Sequence, residues 1–258
     1  MQNIKEIYKY REMIFSLVRR DLKGRYKGSV LGFAWTFLNP LLQLGVYTLV
    51  FSVIMKNGIE DYYLYLFVAL VPWLFFSSSV SAGSGCIRAQ QDMIKKIYFP
   101  REVVPISFVT SQFVNMLLSL LVVFAVIIFS GKGINFVALL YLPLIMVIEY
   151  LLALGTLFVV AGLTVYLRDL EYLMGIITMS WQFLTPVMYG LDQVPEDIRF
   201  IFNLNPMTSV IVAYRQIMYY KEVPDVTTLT QAVVTGIILI IIGYFIFGHL
   251  QKKFAEEL

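Results

Sequence analysis

Few residues able to do chemistry stand where chemistry could be done. The first is Glu149, 16 residues beyond Gly133 in a stretch, residues 133–167, that carries no other charge. An acid in the middle of a hydrocarbon-length segment is costly, and such groups mark proton or ion pathways or face a bundle interior. Two readings stay open: a group for proton-coupled transport, or a protonated or hydrogen-bonded acid at a helix contact with Thr or Ser as its partner. The second candidate is Lys95-Lys96-Ile97-Tyr98-Phe99-Pro100-Arg101-Glu102, with Asp92 just ahead of it. Pro100 interrupts any helix and pushes Phe99 towards extended geometry. A solvated loop needs neither Tyr98 nor Phe99, whereas aromatics and Arg dominate the binding energy of interfaces. The segment therefore reads as a docking element or as basic charge with aromatics at a membrane surface.

Several chemistries are excluded. One histidine, His249, and one cysteine, Cys86, leave no histidine-cluster metal site, no Ser-His-Asp triad and no disulfide framework. No G-x-x-x-x-G-K-[ST] run is present to cradle nucleotide phosphates, and Gly83-Ser84-Gly85 lacks the third glycine of a dinucleotide fingerprint. Paired carboxylates, H-E-x-x-H and G-x-S-x-G are also missing. Any work done through this chain must draw its energy from elsewhere.

What positions these residues is apolar. The 258 residues are 59% hydrophobic and 14% charged, against roughly 45–50% and about 25% in a soluble domain. That excludes a water-soluble globule and a disordered chain, and identifies an all-α integral membrane protein. Charge-free runs cover residues 28–55, 62–87, 103–131, 172–191 and 226–251, each long enough for one crossing of roughly 20 residues. With the Glu149 segment this predicts six transmembrane helices, over 30–55, 63–84, 103–129, 136–165, 172–191 and 229–249. Residues 200–214 are uncharged too, but they number 15 and contain Asn203, Asn205 and Pro206, so 192–222 is expected as short external re-entrant helices. Of 20 Lys and Arg, 15 fall on the side of the two termini, which the positive-inside rule places in the cytoplasm. No cleavable signal peptide, repeat or interdomain linker is evident, so residues 1–258 are expected as one multi-pass domain.

Residues 4–27 place Ile4, Tyr8, Phe15, Val18 and Leu22 on one helical stripe, surrounded by Arg19, Arg20, Lys23 and Arg25. This predicts an amphipathic helix at the membrane surface, either a plain anchor or one that also touches a partner. Forty aromatic residues remain. Tyr62, Tyr63 and Tyr65 suit an interfacial tyrosine belt. Trp35, Phe37, Trp73, Phe75, Phe76, Trp181 and Phe183 lie deeper, where rings face helices, lipid or a sugar-stacking pore.

Four stretches, in order along nearly the whole chain, resemble the membrane subunit of bacterial ABC exporters for lipid-linked polysaccharides (O-antigen, teichoic acid and capsule). They are Asp21-Leu22-Lys23-Gly24-Arg25-Tyr26 with Trp35 and Leu38-Asn39-Pro40; Pro72-Trp73-Leu74-Phe75-Phe76 with residues 95–102; Tyr166-Leu167-Arg168-Asp169; and Phe183-Leu184-Thr185-Pro186-Val187-Met188-Tyr189 with Asn205-Pro206-Met207 and Arg215. The resemblance implies a bacterial cytoplasmic-membrane homodimer with two separate ATPase subunits, which bind ATP and Mg; this chain carries no cofactor, metal, catalytic residue or nucleic-acid site. It implies that Asp92, Lys95, Lys96, Tyr98, Phe99, Pro100, Arg101 and Glu102 couple to the ATPase beside an interfacial helix bearing Arg19, Arg20, Lys23, Arg25 and Tyr26. It also implies that Trp35, Asn39, Trp181, Phe183, Thr185, Pro186, Tyr189, Asn205, Pro206 and Arg215 belong to the pore or its gate. The first and fifth spans would line the path.

Overall fold

The computed structural model describes residues 2–24, 28–54 and 58–258, and every regular element among them is helical. Arg25 and Tyr26 lie outside the described residues. Two short helices, α1 (Gln2–Lys9) and α2 (Arg11–Gly24), precede the first long one, α3 (Gly32–Ile54). Next come α4 (Tyr62–Ser81), the short α5 (Cys86–Ala89) and α6 (Gln91–Lys96), and then α7 (Val103–Phe129). After the one-turn α8 (Phe136–Leu139), α9 (Leu142–Tyr166) continues the fourth apolar segment. The remainder is α10 (Leu170–Phe183), α11 (Glu196–Leu204), α12 (Pro206–Arg215), α13 (Val226–Leu250) and the terminal α14 (Phe254–Glu257).

Among the described residues, five helical segments are long and apolar enough to cross a membrane: Gly32–Ile54, Tyr62–Ser81, Val103–Phe129, Phe136–Tyr166 and Val226–Lys253. The sixth expected span, 172–191, is not one helix. α10 stops at Phe183 after 14 residues, about 21 Å at 1.5 Å per residue, short of the roughly 30 Å hydrocarbon thickness. Pro186 explains the stop: it supplies no N–H and disfavours helical geometry in Thr185. α10 nevertheless begins at one face, where Glu171 pairs with Arg88 at 2.8 Å, and its continuation reaches the other, where the Met188 carbonyl accepts from the Tyr62 hydroxyl at 2.8 Å. The crossing is completed by non-helical backbone.

α4 is the central post. Residues 64–70 are buried, and its neighbours are α3, α7, α9, α10 and α12. Tyr62 and Tyr65, expected in an interfacial belt, are 2% and 3% exposed and bond within the bundle, because one turn apart they share its inward face. The tightest helix pair is α9 with α13. A methyl on Gly155 would stand 2.5 Å from the Leu239 backbone, and one on Gly243 would collide with the Gly155 carbonyl. In lipid no hydrophobic force pulls helices together, so small residues that let backbones touch supply the packing.

Both chain ends meet on one face. Gln251 donates to the buried Glu102 carboxylate at 2.7 Å, the Tyr166 hydroxyl donates to the Leu250 carbonyl at 2.7 Å, and the Tyr10 hydroxyl donates to the Tyr98 carbonyl at 3.4 Å. α2 does not simply lie flat there. Leu17 and Val18 are buried, and its Asp21 carboxylate accepts from the Ser111 hydroxyl of α7, eight residues beyond that helix's start. The single helix expected over residues 4–27 is corrected: the chain breaks at Tyr10 between α1 and α2.

On the opposite face, Asp61 and Lys221 both adopt positive φ, +44° and +61°. Lys132 pairs with Asp61 and, at 3.4 Å, with Glu60; the Lys221 ammonium donates to the Lys132 carbonyl. These contacts clasp the chain at residues 60–61, 132 and 221 together.

Candidate functional site

Once α10 ends, its backbone groups must find partners without water, since non-helical chain at membrane depth survives only where protein or a wet cavity covers it. Thr185 and Val187 are 0% exposed and Met188 4%, so protein covers this stretch. The partners come mainly from the helical hairpin of α11 and α12, whose vertex is Asn205. A Pro at the first position of α12 and Asn at its cap define the turn: the Asn205 side-chain oxygen accepts from Met207 N–H at 3.0 Å. The same oxygen accepts from Trp181 Nε1 at 2.9 Å, while the amide nitrogen donates to the Leu184 carbonyl at 2.9 Å and to Thr185 Oγ1 at 2.8 Å. Asn205 thus uses four bonds to join the end of α10 to the start of α12.

Arg215, at the far end of α12, is 3% exposed. Its guanidinium donates to the carbonyls of Val187 at 2.6 Å, Tyr189 at 3.0 Å and Tyr65 at 3.5 Å, and lies 3.7 Å from the Tyr65 ring centroid. The Tyr189 hydroxyl donates to the Phe183 carbonyl, and Tyr62 takes that of Met188. Tyr62 and Tyr65, missed in the sequence as site residues, are therefore its walls. Their one-turn spacing on a charge-free helix was the available signal.

The residues expected at the pore or gate divide into two groups. Thr185, Pro186, Asn205, Pro206 and Arg215 stand together with Trp181 and Tyr189 around the broken crossing. Their polar atoms are spent inside the chain. Phe183 is 55% exposed on the free face of α10. Trp35 and Asn39 lie apart, on α3, where they line a recess of about 180 Å³ with Gln112, Asn115 and Ser119 of α7.

α3 and α10 flank an open groove of about 480 Å³ floored by α4, into which Gln43, Ser77, Thr178 and Gln182 bring polar groups beside Tyr47 and Trp73. Sequence reading passed over Gln43 and Gln182, because an amide carries no charge to interrupt a run. Polar groups at this depth face a protein interior or water rather than lipid.

Glu149 is fully buried, and Tyr214 of α12 donates to its Oε2 at 2.6 Å; the partner is a tyrosine rather than the expected Thr or Ser. Its Oε1 has no partner among the described residues.

On the face of the termini, the 92–102 segment runs from α6 through extended chain into α7. Asp92, Lys95, Lys96 and Tyr98 project outward, Tyr98 at 78% exposure, and Pro100 and Arg101 are half-buried. Phe99 and Glu102, both 3% exposed, turn inward, so they shape the segment without belonging to its outer surface. Arg19, Arg20 and Lys23 are exposed along α2. Cys86, between these elements, is buried, and burial pushes its thiol from 9.0 up to about 12.

These features define a helical membrane protein of the transporter kind, with a protein-covered broken crossing, a polar groove and a charged segment on one face. Comparison with known proteins gives the family: the ABC-2 type transporter profile matches residues 12–219, and the chain belongs to that family. It is 34% identical over 257 residues to the O-antigen export system permease protein RfbA of Myxococcus xanthus, covering 99% of this chain and 98% of the relative. An RfbA permease of Klebsiella pneumoniae is 32% identical over 96% of this chain and 95% of its own length. The polysialic acid transport protein KpsM of Escherichia coli is 23% identical, over 88% and 89%.

Proposed function

We propose that this chain is the channel-forming membrane subunit of an ATP-driven exporter that moves a lipid-linked polysaccharide across the bacterial cytoplasmic membrane. The observation that carries this reading is end-to-end similarity to permeases named for O-antigen export, over 99% and 96% of the chain. Two copies of the chain form the path and two separate ATPase subunits bind ATP and Mg on the face of the termini, which is cytoplasmic. The chain itself is not an enzyme.

The geometry supports a route for force. The 92–102 segment is continuous with α7, tied to the α1–α2 junction through Tyr98 and Tyr10, and tied to the end of α13 through Glu102 and Gln251. A displacement imposed on Lys95, Lys96 and Tyr98 from outside therefore reaches three helices at once. Rigid elements moving together are a recognised way of switching between two states. α10, held by Asn205 to the α11–α12 hairpin, couples the groove to the gate at the opposite face.

An ion-coupled carrier working through Glu149 fits less well. The carboxyl is sealed at 0% exposure against Tyr214, outside the groove.

Purification of the tagged chain from its native membrane in mild detergent tests the proposal. A P-loop ATPase at one-to-one stoichiometry, lost in a Lys95→Glu/Tyr98→Ala variant of unchanged stability, is expected. A stable chain that never retains an ATPase would sink it.

A further inference from the structure

We propose that Arg215 is a tethered cation occupying a cage of backbone carbonyls that would otherwise bind a free monovalent cation. Unwound carbonyls inside a membrane protein are the groups that coordinate alkali ions in transporters and channels. Here the end of the helix frees those of residues 187–189, aimed into a site walled by Tyr62 and Tyr65 of α4. Tyr62 caps the Met188 carbonyl, and the guanidinium takes those on either side, at 2.6 and 3.0 Å, with a third carbonyl and a ring face completing the cage.

The charge balance is unusual. Among the described residues no carboxylate pairs with Arg215, although it is 3% exposed. A buried cation normally needs an anion. This one is compensated by carbonyl dipoles and the negative face of the Tyr65 ring. A cage that satisfies a permanent charge is, by the same electrostatics, attractive to any small cation once the side chain is removed. Tethering keeps it filled with no dissociable ion, so the outer half of the broken crossing offers ions no foothold. The inference does not rest on the identity of the cargo.

The test is Arg215→Ala in the full-length chain, with any co-purifying subunits retained, followed by thermal unfolding in detergent. Guanidinium chloride at millimolar concentration is the probe, with sodium chloride for ionic strength and urea as the planar uncharged isostere. A saturable rise of about 3–5 °C with guanidinium near ten times its Kd is expected for the variant, and none for the unsubstituted protein. Urea should do nothing. Equal effects of urea and guanidinium, or no effect of either on a folded variant, would overturn the proposal. If Arg215→Ala does not fold, Arg215→Lys and Arg215→Met decide. Retention by Lys with loss by Met supports a required charge, and Met performing as well as Lys refutes it. In proteoliposomes, a potassium leak through Arg215→Ala that guanidinium blocks would confirm the cage as an ion site; a variant as tight as the parent would count against it.

Discussion

Asn205→Ala is the perturbation that most directly tests the broken crossing. Asn205 is 8% exposed and its side chain makes four hydrogen bonds, to Trp181, Met207, Leu184 and Thr185. Loss of the cap on α12 costs about 1 kcal/mol. Truncation also strands the Trp181 N–H and the Leu184 carbonyl, at about 1 kcal/mol each on the scale measured between membrane helices. Thr185 loses little, because its hydroxyl still donates to the Trp181 carbonyl at 2.9 Å. The sum is about 3 kcal/mol, or about 6–12 °C in unfolding midpoint for a chain of this length. Asn205→Ser restores the cap alone and should recover about a third of the loss. Thermal unfolding of the purified variants in one detergent is the assay. An alanine variant within about 2 °C of the parent would show that the hairpin does not hold α10, and the proposed coupling between groove and gate would fall with it.

Three further outcomes are expected. Gly243→Leu should abolish folded protein, judged by detergent size exclusion, because its side chain must displace the Gly155 carbonyl; a monodisperse variant would disprove the close α9–α13 contact. Glu149→Gln should keep both fold and export, since an amide oxygen still accepts from Tyr214, whereas Glu149→Leu leaves that buried hydroxyl without its acceptor and costs about 1–3 kcal/mol. Loss of export in a stable Glu149→Gln chain would return weight to the carrier reading. Cys86 should resist a maleimide at pH 8 in the folded protein and react once it unfolds. Its thiol is raised from 9.0 to about 12, so between those values the folded chain holds a proton that the unfolded chain releases. The contribution of Cys86 to stability is therefore complete below pH 9.0 and shrinks as pH rises towards 12. Rapid labelling of the folded chain at pH 8 would contradict this burial.

Length and charge placement alone determine that this chain lives in a membrane. Runs of 26 to 29 uncharged residues have no alternative to helical crossing, because lipid satisfies no backbone group. The outward character of Lys95, Lys96 and Tyr98 was legible for a similar reason: a proline-broken stretch of cations between two apolar runs has to sit at a surface. What sequence could not decide was where polar atoms find their partners. How residues 172–191 complete their crossing after α10 stops depends on Asn205, 20 residues beyond Thr185, arriving to serve the carbonyl of Leu184 and the hydroxyl of Thr185. Tyr62 and Tyr65 look like interfacial residues until Arg215, 150 residues beyond Tyr65, is brought against them. Glu102 looks like a contact residue until Gln251 closes over it. Local pattern records how apolar a segment is and where its helix must fail. The rescue of a failed helix is made of hydrogen bonds between distant segments, and those exist only once the chain has folded.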